Sequence, residues 1–130
     1  MTATGTRHAL IIDDDPLVGQ SIKAMLSQLS VEAVIVDTGT EALIVAADRP
    51  FDIIFCDIIM PDLDGFSIIE RLFALGVDAP VVAMSGGGRV DAGEYLNWIN
   101  ILDVRATLRK PFGRKDLTQV VDQVLGGETP

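Results

Sequence analysis

Cysteine occurs once in the 130 residues, at Cys56, so no disulfide can form within the chain. That weakly favours a reducing compartment. Histidine also occurs once, at His8, with no second ligand near it in sequence, and it is read as structural. Basic residues are scarce, 10 against 19 acidic ones, for a net charge of −9. This balance opposes binding to nucleic acid phosphates or to an anionic membrane, and it suits a metal cation or a partner with basic patches. No apolar run approaches the roughly 20 residues that cross a bilayer. The opening "MTATGTRH" lacks the apolar segment of about 7–15 residues found in secretory signals. A soluble, cytoplasmic protein is expected.

Familiar ligand-binding motifs are missing as well. Gly88 to Gly93 is followed by Glu94 where a P-loop needs lysine, and "GGGRVD" lacks the last glycine of a dinucleotide fingerprint. "DLDG" (62–65) faintly resembles a calcium loop, but Met60 and Arg71 stand where carboxylates are needed. Repeats, low-complexity tracts and linkers are absent, and the length fits one domain over residues 1–130. Folding hides about two thirds of the accessible surface at this size, and a 48% apolar content can fill the resulting core.

What is present is a regular alternation. "HALIID" (8–13), "VEAVIVD" (31–37), "FDIIFCD" (51–57), "PVVAMS" (80–85) and "VRATLRK" (104–110) read as strands, several of them short apolar runs suited to burial on both faces. Between them lie helical patterns. The first has Asp15 as N-cap and Pro16 at the first helical position, with Val18, Ile22, Met25, Leu26 and Leu29 at helical spacing up to about Ser30. Others run over about Thr40 to Asp48, Phe66 to Leu75 and Glu94 to Leu102, the last carrying Tyr95 and Trp98 as expected packing residues. A final helix covers about Arg114 to Leu125, ended by Gly126 and Gly127. Five strands alternating with five helices predict a (βα)5 α/β fold, a three-layer sandwich around a parallel five-stranded sheet with right-handed crossovers.

The polar exceptions fall at strand ends: Asp13 and Asp14 after the first strand, Asp57 after the third, Ser85 after the fourth, Lys110 after the fifth. Ligands in open α/β sheets bind beyond the carboxyl ends of strands, so these residues should converge. Two like charges about 4 Å apart repel by about 4 kcal/mol at an effective dielectric near 20. Lys110 offsets part of this, and a divalent cation would offset the rest. Oxygen donors without imidazole or thiolate favour Mg²⁺, with Mn²⁺ as an alternative. A metal beside a carboxylate, a hydroxyl and an ammonium suits phosphoryl transfer, in which a carboxylate can be the nucleophile. Asp57, on the middle strand, is the candidate. A phosphatase with paired acids would need one at position 59, which is Ile59.

In that order, "IIDDDP", "CDIIMPDLDG", "MSG" and "KPF" make the chain resemble the receiver domain of two-component response regulators over about residues 7–126. It is similar to stand-alone receivers with an "SGGGR" loop, and no output domain is expected after residue 127. The resemblance implies a flavodoxin-like sheet of order 2-1-3-4-5 and Asp57 as phosphoacceptor. It implies Mg²⁺ held by Asp13, Asp14, Asp57 and the backbone carbonyl of Ile59, with Asp14 the more direct of the acidic pair. Ser85, Gly86 and Lys110 would hold the phosphoryl group, and Lys110–Pro111 would be cis. Thr107 stands where the family often has a mobile Tyr or Phe, so an aromatic switch cannot operate. Ile59 and Gly87 would flank the phosphoryl group without holding a water, which implies slow self-dephosphorylation. Implied partners are a histidine kinase or histidine phosphotransferase, and a downstream protein bound through the 85–125 face. The alternative is a receiver-like module acting by phosphorylation-independent contact, which Thr107 favours and the intact cluster opposes. Asp15 is left as a helix cap, Arg109 as a solvated edge residue and Cys56 as a small core thiol.

Overall fold

Side chains of a strand alternate between its two faces, so one buried sheet can serve two helical layers. In the computed structural model, which describes residues 6–58, 65–86 and 104–126, that is how the core divides. The strands are β1 (Arg7–Ile12), β2 (Val31–Val36), β3 (Ile53–Asp57), β4 (Val81–Gly86) and β5 (Ala106–Lys110). All pair in parallel, in the order β2-β1-β3-β4-β5. The parallel sheet is as the alternation of elements predicts, and its flavodoxin-like order is the one that the resemblance implies. The described helices are α1 (Pro16–Ser27), α2 (Gly39–Asp48), α3 (Gly65–Ala74) and α4 (Arg114–Leu125). The helix expected over about 94–102, with Tyr95 and Trp98, lies outside the described residues, as do Ile59 and Gly87.

On one face Leu10, Ile12, Ile54, Cys56, Val81 and Ala83 pack with Ala42 and Ala46 of α2 and Ile68, Ile69 and Leu72 of α3. On the other, Ala9, Ile11, Ile53, Phe55, Val82, Met84 and Leu108 pack with Ile22 and Leu26 of α1 and Leu117, Val120 and Val121 of α4. Cys56 is fully buried in the first cluster, as a small core thiol should be, and Arg109 is exposed on the edge strand β5.

Local chemistry sets the element ends. The Asp15 carboxylate accepts from the Leu17 N–H at 3.0 Å, and Pro16 opens α1. Thr38 caps α2 by accepting from the Glu41 N–H at 3.1 Å. The first helix ends at Ser27, short of the expected Ser30. The Leu29 and Ser30 N–H groups bond to the Leu26 and Ser27 carbonyls, three residues back, and Ser30 turns into β2 with φ 63°. Apolar spacing continued past that point because Leu29 still packs on the core. The third strand begins at Ile53, two residues later than expected; just before it, the Asp52 carboxylate takes the place of a backbone acceptor for the His8 N–H at 2.7 Å, while the Asp52 N–H donates to the His8 carbonyl at 2.8 Å.

Gly19 lets α1 approach the sheet closely. A Cβ there would lie 2.9 Å from Cγ2 of Ile35 on β2, a methyl on a stiff β-branched χ1. Gly19→Ala gains about 1 kcal/mol of helix propensity but forces an overpacking cost of about 1–3 kcal/mol. We expect net destabilisation in urea unfolding, reversing to stabilisation in an Ile35→Ala background.

The two ends of the described chain are also tied together. Arg7 Nη1 donates to the Leu125 carbonyl, in the last turn of α4, at 2.8 Å. A cation there also meets the negative end of the helix dipole. Arg7→Ala should lower the unfolding free energy by about 1–2 kcal/mol with an unchanged denaturant m-value.

Candidate functional site

The register of the sheet assembles the site. Ile12 pairs with Cys56, so one step further Asp13 and Asp57 emerge side by side from adjacent strands. Asp57 pairs with Met84 and Met84 with Leu108, while Gly86 pairs with Lys110. Asp13, Asp57 and Lys110 continue the alternation of Ile11, Phe55 and Leu108, so all three leave the sheet toward the α1 and α4 layer. Ser85 continues the alternation of Val81 and Ala83, toward the opposite layer. The cluster therefore straddles the end of the sheet.

Lys110 Nζ lies 2.8 Å from Asp13 Oδ2 and 3.3 Å from Asp57 Oδ2. Oxygens of Asp13, Asp14 and Asp57 all lie within 4.8 Å of one another. Asp13 and Asp57 are buried, at 1% and 4% exposure, whereas Asp14 is exposed. Asp13 Oδ1 accepts the Asp15 N–H at 2.9 Å. Asp13 Oδ2 is buried and meets the Lys110 ammonium at 2.8 Å. Burial pulls the Lys110 ammonium toward losing its proton, but Asp13 and Asp57 outweigh it, so its pKa stands above the usual 10.5.

Three carboxylates face one ammonium. At 4.8 Å each like-charge pair repels by about 3.5 kcal/mol at an effective dielectric near 20. An all-oxygen donor set, two buried carboxylates sharing a single ammonium and one open flank at Asp14 together fit a hard divalent cation such as Mg²⁺.

Ser85 is 5% exposed at the end of β4, followed by Gly86. Thr107 is half-buried on β5, opposite Ala83. The Lys110–Pro111 bond is cis. The sequence reading passed over Asp37, Glu41 and Gln20, which with Asp13 and Asp14 line a cleft of about 330 Å³. Asp37 could have been found by the same rule as the others, since it directly follows β2. A second, more apolar groove of about 500 Å³ is lined by Leu17, Val18, Met25, Lys110, Pro111 and Phe112.

A family model for the response regulator receiver domain matches residues 9–122. This chain belongs to that family. Among curated relatives, the response regulator MprA of Mycolicibacterium vanbaalenii is 32% identical over 124 residues, covering 93% of this chain and 51% of that protein. The two-component response regulator ORR21 of Oryza sativa subsp. indica is 39% identical over 84 residues, covering 63% of this chain and 12% of the relative. The receiver described here thus spans about half of the first relative's length and about an eighth of the second's. Among solved structures, a response regulator receiver protein from Burkholderia phymatum is 29% identical with a TM-score of 0.81, covering 92% of this chain and 95% of that one. A CheY-like receiver domain from Methylobacillus flagellatus is 26% identical with a TM-score of 0.79, covering 92% and 99%. Receiver domains of this family act in two-component signal transduction.

Proposed function

We propose that this receiver takes a phosphoryl group from a phosphohistidine onto the Asp57 carboxylate. The supporting observation is the convergence of Asp13, Asp14 and Asp57 within 4.8 Å, with Lys110 bridging the two buried members. Asp13, Asp14 and Asp57, with the Ile59 carbonyl, are the groups that would hold Mg²⁺. Bound there, the ion supplies positive charge against the equatorial oxygens of the transferring group.

Asp57 acts as nucleophile: an oxygen lone pair forms the new O–P bond while the P–N bond to the donor imidazole breaks and its electrons return to nitrogen. Lys110, already 3.3 Å from Asp57, holds one phosphoryl oxygen as an ammonium. The Ser85 hydroxyl, buried at the end of the neighbouring strand, donates to another, and the Gly86 N–H lies next along the chain. The added dianion draws Lys110 away from Asp13 and loads the ends of β4 and β5. A downstream protein reads that change on the 85–125 face, with Thr107 in place of an aromatic switch. The donor is a histidine kinase or a histidine phosphotransferase, and the protein works in the cytoplasm. Among the described residues, no helix is long and apolar enough to cross a membrane.

Incubation with acetyl phosphate and Mg²⁺ should add the mass of one phosphoryl group, and chelation of the metal should prevent it. An unmodified mass after prolonged exposure would favour the phosphorylation-independent binding module instead.

A further inference from the structure

Asp15 is the one acid of the Asp13–Asp14–Asp15 run that stands outside the cluster, yet it links the cluster to α1, with one hydrogen bond to each. Its side chain accepts the Leu17 N–H at 3.0 Å, and its own backbone N–H donates to Asp13 Oδ1 at 2.9 Å. Its backbone is extended, with φ −94° and ψ 109°. Pro16 between the two contacts has no N–H and a fixed φ, so Leu17 is the first donor of α1 that the cap can take. The cap therefore fixes the peptide whose N–H anchors Asp13. With Oδ1 anchored, the carboxylate cannot rotate freely, and the buried Oδ2 is turned into the cluster, 2.8 Å from Lys110 Nζ.

We propose that Asp15 is a positioning residue for the metal centre: its cap of α1 holds the turn that makes Asp13 present Oδ2 to the cation. This deepens the phosphoacceptor reading and rests on its metal site. The role belongs to the side-chain oxygen as an acceptor. The negative charge is not what matters, because Asp15 is exposed and outside the trio of converging carboxylates.

Four variants separate this from a plain stability effect and from a plain charge effect: Asp15→Ala, Asp15→Gly, Asp15→Asn and Asp15→Ser. The readout is Mg²⁺ affinity by titration calorimetry of the full chain with the metal alone, at an ionic strength that screens exposed charges. Outer groups that orient a metal ligand are worth about 10–100-fold in affinity. Asp15→Ala and Asp15→Gly should therefore weaken Mg²⁺ binding at least about tenfold. Asp15→Gly matters because glycine sacrifices little cap stability while removing the acceptor. Asp15→Asn and Asp15→Ser keep an acceptor of similar capping strength and should bind Mg²⁺ nearly as wild type does. Unchanged affinity in Asp15→Ala and Asp15→Gly would overturn the proposal and leave the metal site intact. Loss in Asp15→Asn equal to that in Asp15→Ala would overturn it in favour of charge. A wild-type protein that binds no Mg²⁺ at millimolar concentration would overturn the site and this role together.

Discussion

Asp57→Asn should accept no phosphoryl group from acetyl phosphate under conditions that fully label the wild-type protein. The amide retains the size of the carboxylate and one acceptor oxygen, and loses the anionic nucleophile. The same change should raise the stability of the metal-free protein. Asp57 lies within 4.8 Å of two other carboxylates and 3.3 Å from one ammonium. With an effective dielectric near 20, each repulsion costs about 3.5 kcal/mol and the Lys110 attraction returns about 5 kcal/mol, so removing the charge is favourable by about 2 kcal/mol. Mg²⁺ should then stabilise the variant less than wild type, since a ligand raises stability only in proportion to its preference for the folded site. Mass spectrometry and denaturant unfolding with and without Mg²⁺ check both halves. Labelling of Asp57→Asn equal to wild type would place the phosphoryl group elsewhere.

The strands and their polar ends were legible in the sequence because the physics there is local. A buried parallel strand must be apolar, and a carboxylate or lysine that interrupts the run marks where burial stops, as at Asp13, Asp57 and Lys110. The cap of α1 was readable from Asp15 and Pro16 for the same reason. The strand order, by contrast, rested on family resemblance, because a (βα)5 pattern alone does not fix which strand lies beside which. The end of α1 was misplaced by three residues because Leu29 keeps helical spacing while Ser30 leaves the helix, a backbone event with no apolar signature. Lys110 bridging Asp13 as well as Asp57 also escaped the sequence. It depends on all three leaving the same face, which follows from register and not from composition. Asp37 and Glu41, which border the same cleft, are exposed and belong to none of the motifs, so the shape of the cleft is what brings them to the site.

Register also makes the loss of the Lys110 charge costly in stability. Its ammonium faces Asp13 and Asp57, whose side chains are 0% and 5% exposed, while its own side chain is 20% exposed. Lys110→Met keeps the length of the stem and removes the charge, stranding two buried carboxylates. Breaking a buried pair from one side costs about 3–5 kcal/mol, and we expect that loss in the metal-free protein near neutral pH. Mg²⁺ should restore much of it, because the ion supplies the missing positive charge to the same oxygens, while phosphorylation of the rescued protein stays impaired. The dependence on pH has a definite sign. A lysine whose folded pKa stands above 10.5 contributes stability that is fully present below 10.5 and fades as pH rises through the folded value. Wild-type protein should therefore lose stability relative to Lys110→Met on titration above about pH 10.5, so the gap between them closes at high pH. Unfolding free energies that coincide for the two proteins across that range would mean that Lys110 stabilises the fold through its apolar stem alone.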